Sequence, residues 1–104
     1  MTERDTNTDA VARRPSHAGR RVLVTGAGRG IGRAIAKGFA ARAALVGVAD
    51  VNPDDVAATV AAIEAVGGRA LPLQLDVADY AAVEAAVSEA AAAMGGALDT
   101  VINN

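Results

Sequence analysis

Cysteine and tryptophan are absent from the 104 residues, and tyrosine, phenylalanine, histidine and lysine occur once each. The missing cysteines exclude a disulfide scaffold and any thiolate-ligated zinc or iron–sulfur centre. With Tyr80 and Phe39 as the whole supply of aromatic rings, there is no stacking platform for single-stranded nucleic acid. Twelve acids against ten bases leave a net charge of −2. That is the wrong sign for a surface that tracks phosphates, so no nucleic-acid partner is expected. No apolar run approaches the ~18 residues of a membrane span. The opening MTERDTNTD lacks the basic and apolar blocks of a secretory signal. No membrane partner is expected, and the expected compartment is the cytoplasm. His17 has no acid or second ligand beside it, so no metal site is expected and the residue is assigned no role. The length allows one small domain or part of a larger one.

What is present divides at about residue 20. Residues 1–19 are polar, carry charges of both signs and hold Pro15, Ser16 and Gly19. No apolar period runs through them, so a disordered tail is expected. Arg13-Arg14 within it reads as a solvated pair or a small electrostatic contact. Residues 20–104 alternate short apolar runs with helical stripes. Arg21–Thr25 reads as a strand closed by Gly26. Ile31, Ile35 and Phe39, with Ala34 and Gly38 beside them, read as a helix face. Leu45–Ala49 is a second strand, ended by Asp50. Asn52 caps a helix with Pro53 at its first position, Val56, Val60 and Ile63 mark its buried stripe, and Gly67-Gly68 end it. Ala70–Leu75 is a third strand. Val83, Val87, Ala90 and Met94 form the stripe of a third helix, closed by Gly95-Gly96. Leu98–Ile102 begins a fourth strand.

The order βαβαβαβ predicts a parallel sheet with helical crossovers, an α/β fold. Right-handed crossovers place the first two helices on one face and the third on the other, giving strand order 3-2-1-4. A crevice then opens between strands 1 and 4 at their carboxyl ends, where ligands bind in such sheets. The sharpest motif lies there: Thr25-Gly26-Ala27-Gly28-Arg29-Gly30-Ile31-Gly32, directly between a strand and a helix. Gly26 allows a sharp turn and a close approach, while Gly30 and Gly32 leave the helix start bare for a pyrophosphate. The spacing is T-G-x-x-x-G-x-G rather than G-x-G-x-x-G, because Ile31 stands where a third glycine would be. The alternative is a flexible glycine-rich turn.

Asp50 ends strand 2, placed to accept both hydroxyls of an adenosine ribose and to repel a 2′-phosphate, which favours NAD over NADP. Arg29 pulls toward NADP. Asp50 weighs more, because a carboxylate facing a dianion is a direct penalty. Its alternative is a simple strand-end turn acid. Asp76, after strand 3, suits an adenine amino group equally with capping the next helix.

On these residues the chain resembles the short-chain dehydrogenase/reductase family. TGAGRGIGRAIA is similar to that family's cofactor segment, Leu75-Asp76-Val77 to its adenine-contacting Asp-Val, and Leu98–Asn104 to the approach to its Asn-Asn-Ala-Gly motif, cut after the second Asn. The resemblance covers residues 20–104 and implies the N-terminal half of a Rossmann dinucleotide-binding domain. It implies that Gly26, Gly28, Arg29, Gly30, Ile31 and Gly32 line the pyrophosphate. Asp50 takes the ribose, Asp76 and Val77 the adenine, and Asn103 the inner ribose. Three departures stand out. Ala43 occupies the position where the family ends its first helix with Gly, Gly47 replaces a β-branched residue in strand 2, and Gly38 lies mid-helix, where it is unfavourable unless it closes a helix–sheet contact.

The family implies an NAD(P)-dependent oxidoreductase of alcohols and carbonyls, whose parent enzyme is a homo-oligomer. Such enzymes act through Ser, Tyr-x-x-x-Lys and a further Asn, all beyond the residues here. Tyr80 is followed four residues on by Glu84, and Lys37 lies on the first helix, so no phenol–ammonium pair exists at that spacing. The Ser and Thr residues from position 59 onward lack an adjacent base. No catalytic residue is therefore assigned, and the expectation is a cofactor-binding fragment without turnover. The alternatives are a non-catalytic nucleotide-binding module, an interaction protein, or a truncated product. Strand 4 is expected to be a free edge, with several hundred Å² of apolar surface left beside the third helix and self-association as the result.

Overall fold

The computed structural model describes residues 16–104. Arg13-Arg14 and most of the expected tail lie outside the described residues. The elements are β1 (Arg21–Thr25), α1 (Gly30–Ala41), β2 (Leu45–Asp50), α2 (Pro53–Glu64), β3 (Arg69–Gln74), α3 (Tyr80–Met94) and β4 (Thr100–Ile102). All three strand pairings are parallel, in the order β3-β2-β1-β4 anticipated from crossover handedness. β4 starts two residues later than its apolar run, because Asp99 is engaged with β1. Its N–H donates to Arg21 O at 2.8 Å, and its Oδ2 accepts from Arg21 N–H at 2.8 Å.

Alternation along the strands sorts the core into two layers. Val22, Val24, Val46 and Val48 pack with Ala36 and Ala40 of α1 and Val56 and Ile63 of α2. Leu23, Ala49, Leu73 and Leu75 pack on the other face with Ala86, Ala90 and Met94 of α3. Gly47 belongs to this second face. A Cβ there would lie 3.0 Å from Leu23 Cδ1 and 3.2 Å from Met94 Cε, so its missing side chain is the space Met94 fills. α3 alone buries Leu23, Leu73 and Leu75 almost completely. Leu45, Leu71 and Leu98 on that face are partly buried, and Val101 is the large apolar strand residue left exposed, at 51%.

The α1 face is rotated from the one predicted. Gly32, Ala36 and Ala40 are its buried residues, Ile35 and Phe39 only flank the core, and Ile31 is 74% exposed. Small residues at i, i+4, i+8 let the helix approach the sheet closely, and the bulkier stripe is displaced one position to the side. In α2 the buried set is Val56, Thr59 and Ile63, with Val60 peripheral. In α3 it is Ala86, Ala90 and Met94, with Val83 and Val87 flanking. Gly38 faces open space and closes no helix–sheet contact.

All three helices end in the same paired hydrogen-bond motif. After α2 and α3 the left-handed residue is Gly67 (φ +84°) or Gly95 (φ +88°). After α1 it is Ala43, at φ +72°, with Ala43 N–H donating to Ala40 O at 3.0 Å and Ala44 N–H to Phe39 O at 3.1 Å. A left-handed L-residue costs ~1–2 kcal/mol, and glycine's looser unfolded chain takes back about 0.5–1 kcal/mol. Ala43→Gly is expected to stabilise the fold by ~0.5–1 kcal/mol, raising the thermal midpoint by a few degrees. A thermal melt followed by circular dichroism checks this, and a lowered midpoint would contradict it. Beside this helix end, His17–Arg20 form a turn closed by Arg20 N–H donating to His17 O at 2.9 Å. His17 N–H donates to Arg42 O at 2.8 Å, and the imidazole sits 5.2 Å from the Phe39 ring, which gives it a packing role.

Candidate functional site

The β1–α1 turn is built by glycines with different tasks. Gly26 (φ +61°) and Gly30 (φ +62°) adopt the left-handed region. Gly28 and Gly32 are required by proximity. A Cβ on Gly28 would lie 2.7 Å from Asp50 Oδ2, and one on Gly32 would lie 1.9 Å from Gly26 O. The turn is tied to β2 by Ala27 N–H, which donates to Ala49 O at 2.9 Å. Gly32 thus serves the packing of α1 on the turn as well as keeping the helix start bare.

The amino end of α1 is the uncapped one. Its N-cap residue Arg29 makes no side-chain cap bond, and its first turn holds no acid. By contrast, Asn52 caps α2 through Asp54 N–H at 2.9 Å and Asp55 N–H at 3.2 Å, and Asp79 caps α3 through Ala82 N–H at 3.1 Å. Among the described residues, α1 is the helix whose first N–H groups have no side-chain acceptor, under an exposed Ile31. Unsatisfied N–H groups and the positive end of the helix dipole form an anion-binding position.

Asp50, at the carboxyl end of β2, stands beside this turn. Its Oδ2 accepts from Gly28 N–H at 2.9 Å and its Oδ1 from Val51 N–H at 2.7 Å. Arg29 Nε lies 3.4 Å from Asp55 Oδ2, so the arginine within the turn itself is paired. Asp76 is exposed after β3, with Oδ1 accepting from Ala78 N–H at 2.9 Å, and the neighbouring Val77 is half-exposed. The helix cap itself is Asp79, which leaves Asp76 as a turn acid with one oxygen free of these bonds. At the β1–β4 crevice the buried Thr25 hydroxyl lies 3.1 Å from Asn103 Oδ1 and accepts from Asn104 N–H at 3.1 Å. Asn104 Nδ2 donates to Gly26 O at 3.3 Å. The residues expected from the sequence to contact a cofactor therefore all lie at the carboxyl edge of one sheet. Gly28 and Asp50 touch, and Asp76 and Val77 stand at the β3 end.

Sequence reasoning placed Thr25 in the glycine motif without a role of its own, and missed Arg33, Asp55 and Thr59. Thr59 is fully buried within the apolar stripe of α2, where a lone polar residue was the available signal. Arg33 was hidden among helix-forming residues. Its Nε donates to Thr59 Oγ1 at 2.8 Å, and its guanidinium also bonds Gly28 O.

A parallel sheet with a glycine turn, a bare helix start and a strand-end carboxylate at the switch point defines a class of nucleotide-binding α/β protein. Residues 20–104 match the family model described as short chain dehydrogenase, and the chain belongs to that family. It is 48% identical over 81 residues to the short-chain reductase protein NovJ of Streptomyces niveus, covering 78% of this chain and 30% of that protein. A Burkholderia cenocepacia short chain dehydrogenase solved in complex with NADP superposes with a TM-score of 0.80 at 47% identity. The match covers 86% of this chain and 37% of that one. A Brucella melitensis 3-oxoacyl-[acyl-carrier protein] reductase with bound NAD superposes with a TM-score of 0.79 at 46% identity. It covers 100% of this chain and 38% of that one. The chain thus spans a little over a third of these solved relatives and less than a third of NovJ.

Proposed function

We propose that the chain is the cofactor-binding portion of an oxidoreductase that moves hydride between NAD and an alcohol or carbonyl. The observation that carries this reading is the glycine-cleared, uncapped start of α1 beside Asp50. Gly26, Gly28, Arg29, Gly30, Ile31 and Gly32 would line the pyrophosphate, Asp50 the adenosine ribose, Asp76 and Val77 the adenine, and Asn103 the inner ribose. The bound nicotinamide supplies the hydride acceptor or donor. The protein's own contribution here is to bind and orient. Tyr80 is 86% exposed at the start of α3, with no lysine four residues on, so these residues contribute no acid/base group and no turnover.

One solved relative holds NADP and another NAD, so family membership leaves the cofactor open. NAD is favoured by the carboxylate of Asp50, whose Oδ2 accepts from Gly28 N–H at 2.9 Å. A 2′-phosphate would face Asp50, and Arg29 is engaged with Asp55. Titration of the folded chain with both cofactors is expected to show tighter NAD binding. Asp50→Ala should weaken NAD by about 5- to 100-fold, the effect of losing a charged hydrogen-bond acceptor. Adding an arginine beside that change should move preference toward NADP. Tighter NADP binding by the unmodified chain would overturn the assignment. We further propose that the chain self-associates through β4.

A further inference from the structure

We propose that Thr59 and Arg33 are positioning residues that set cofactor selectivity by fixing the direction of the Gly28 amide. The proposal rests on the cofactor-binding reading above and adds to it two residues remote from the glycine motif. Thr59 is fully buried, and its Oγ1 lies 2.9 Å from Ala27 O and 3.1 Å from Gly28 O. Arg33 Nε donates to that same Oγ1 at 2.8 Å, and its guanidinium also donates to Gly28 O. The hydroxyl has a single proton. A consistent assignment has Arg33 Nε donating to Thr59, Thr59 donating to Ala27 O, and the Arg33 fork holding Gly28 O.

The consequence follows from peptide planarity. In a trans peptide the C=O and the following N–H point in opposite directions. Holding Ala27 O toward α2 therefore turns Gly28 N–H the other way, onto Asp50 Oδ2 at 2.9 Å. Holding Gly28 O toward Thr59 likewise turns Arg29 N–H away from α2. Thr59 and Arg33 thereby orient the amide that orients Asp50, the carboxylate that would read the ribose 2′ position. One partner would satisfy a buried hydroxyl, whereas Thr59 Oγ1 gathers two successive carbonyls of the turn and the Arg33 guanidinium.

The test compares Thr59→Val, which keeps shape and removes the hydroxyl, with Thr59→Ser, which keeps the hydroxyl. The ratio of NADP to NAD dissociation constants is expected to fall about tenfold in Thr59→Val and to hold in Thr59→Ser. General destabilisation would weaken both cofactors together and leave the ratio unchanged, which would overturn the proposal. Amide hydrogen exchange gives a readout that needs no cofactor. Gly28 should exchange about tenfold faster in Thr59→Val relative to the core amide of Val46. If the unmodified chain binds neither cofactor, the proposed function fails, while Gly28 exchange still decides the positioning role. Arg33→Met carries the same two readouts if Thr59→Val does not fold, and an unchanged Gly28 in both variants would overturn the proposal.

Discussion

Alanine at Gly32 is expected to cost about 3 kcal/mol or more, enough to erode most of the stability of a small domain. Two other glycines of the same helix should behave quite differently. The Gly32 Cβ would stand 1.9 Å from Gly26 O and 2.7 Å from Asn104 Nδ2. Gly26 has little room to retreat. It sits at φ +61°, its carbonyl accepts from Asn104 Nδ2, and the next residue is bonded to Ala49 O. A clash with fixed backbone displaces α1 as a whole, and with it Ala36 and Ala40 in the core. Gly30 meets no atom within 4 Å, so Gly30→Ala should cost only the ~1 kcal/mol or so of its left-handed φ. Gly38 has neither constraint, and Gly38→Ala should stabilise by about 1 kcal/mol through helix propensity. Urea denaturation of the three variants tests the ranking. A Gly32→Ala protein within 1 kcal/mol of the unmodified chain would contradict the close-approach role.

Those three glycines look alike in sequence, which marks the limit of what could be read there. β1, the Asn52 cap and the strand order 3-2-1-4 were legible because each follows from local chemistry or chirality. A β-branched run closes at a glycine, Asn-Pro opens a helix, and crossovers are right-handed. The buried face of α1 was not legible. Periodicity weights large apolar residues, whereas close packing selected Gly32, Ala36 and Ala40. Ile31 satisfied the helical period yet is exposed at the bare end of the helix. Thr59 and Arg33 meet Gly28 only because α1 and α2 share one face of the sheet, a relation without any spacing signature. Arg21 is similar. Its Nε donates to Met94 O at 2.9 Å across 73 positions, closing the carboxyl end of α3.

The chain should self-associate in a concentration-dependent way through β4, and Val101→Lys should return it to a monomer. The two outer edges of the sheet differ in how they are guarded. Leu75 N–H donates to Asp50 O at 2.9 Å, so by strand alternation Leu73 and Leu71 also direct their N–H groups toward β2. Pro72, between them, has its missing N–H on the outer side, and Arg69 and Gln74 flank it in exposed positions. That edge offers an interrupted, polar ladder to an incoming strand. β4 has no such guard: Thr100–Ile102 contains neither proline nor charge, and among the described residues it pairs only with β1. Ile102 packs on the α1 side, so Val101 points to the α3 side, where it is half-exposed beyond the helix. Because α3 already closes the core over Leu23, Leu73 and Leu75, association is expected between folded units rather than through melting. Sedimentation or light scattering across a concentration series, with near-ultraviolet circular dichroism, separates the two. A monodisperse monomer at all concentrations would refute self-association. Assembly unchanged by Val101→Lys, in a protein that keeps its native spectrum, would move the contact away from β4.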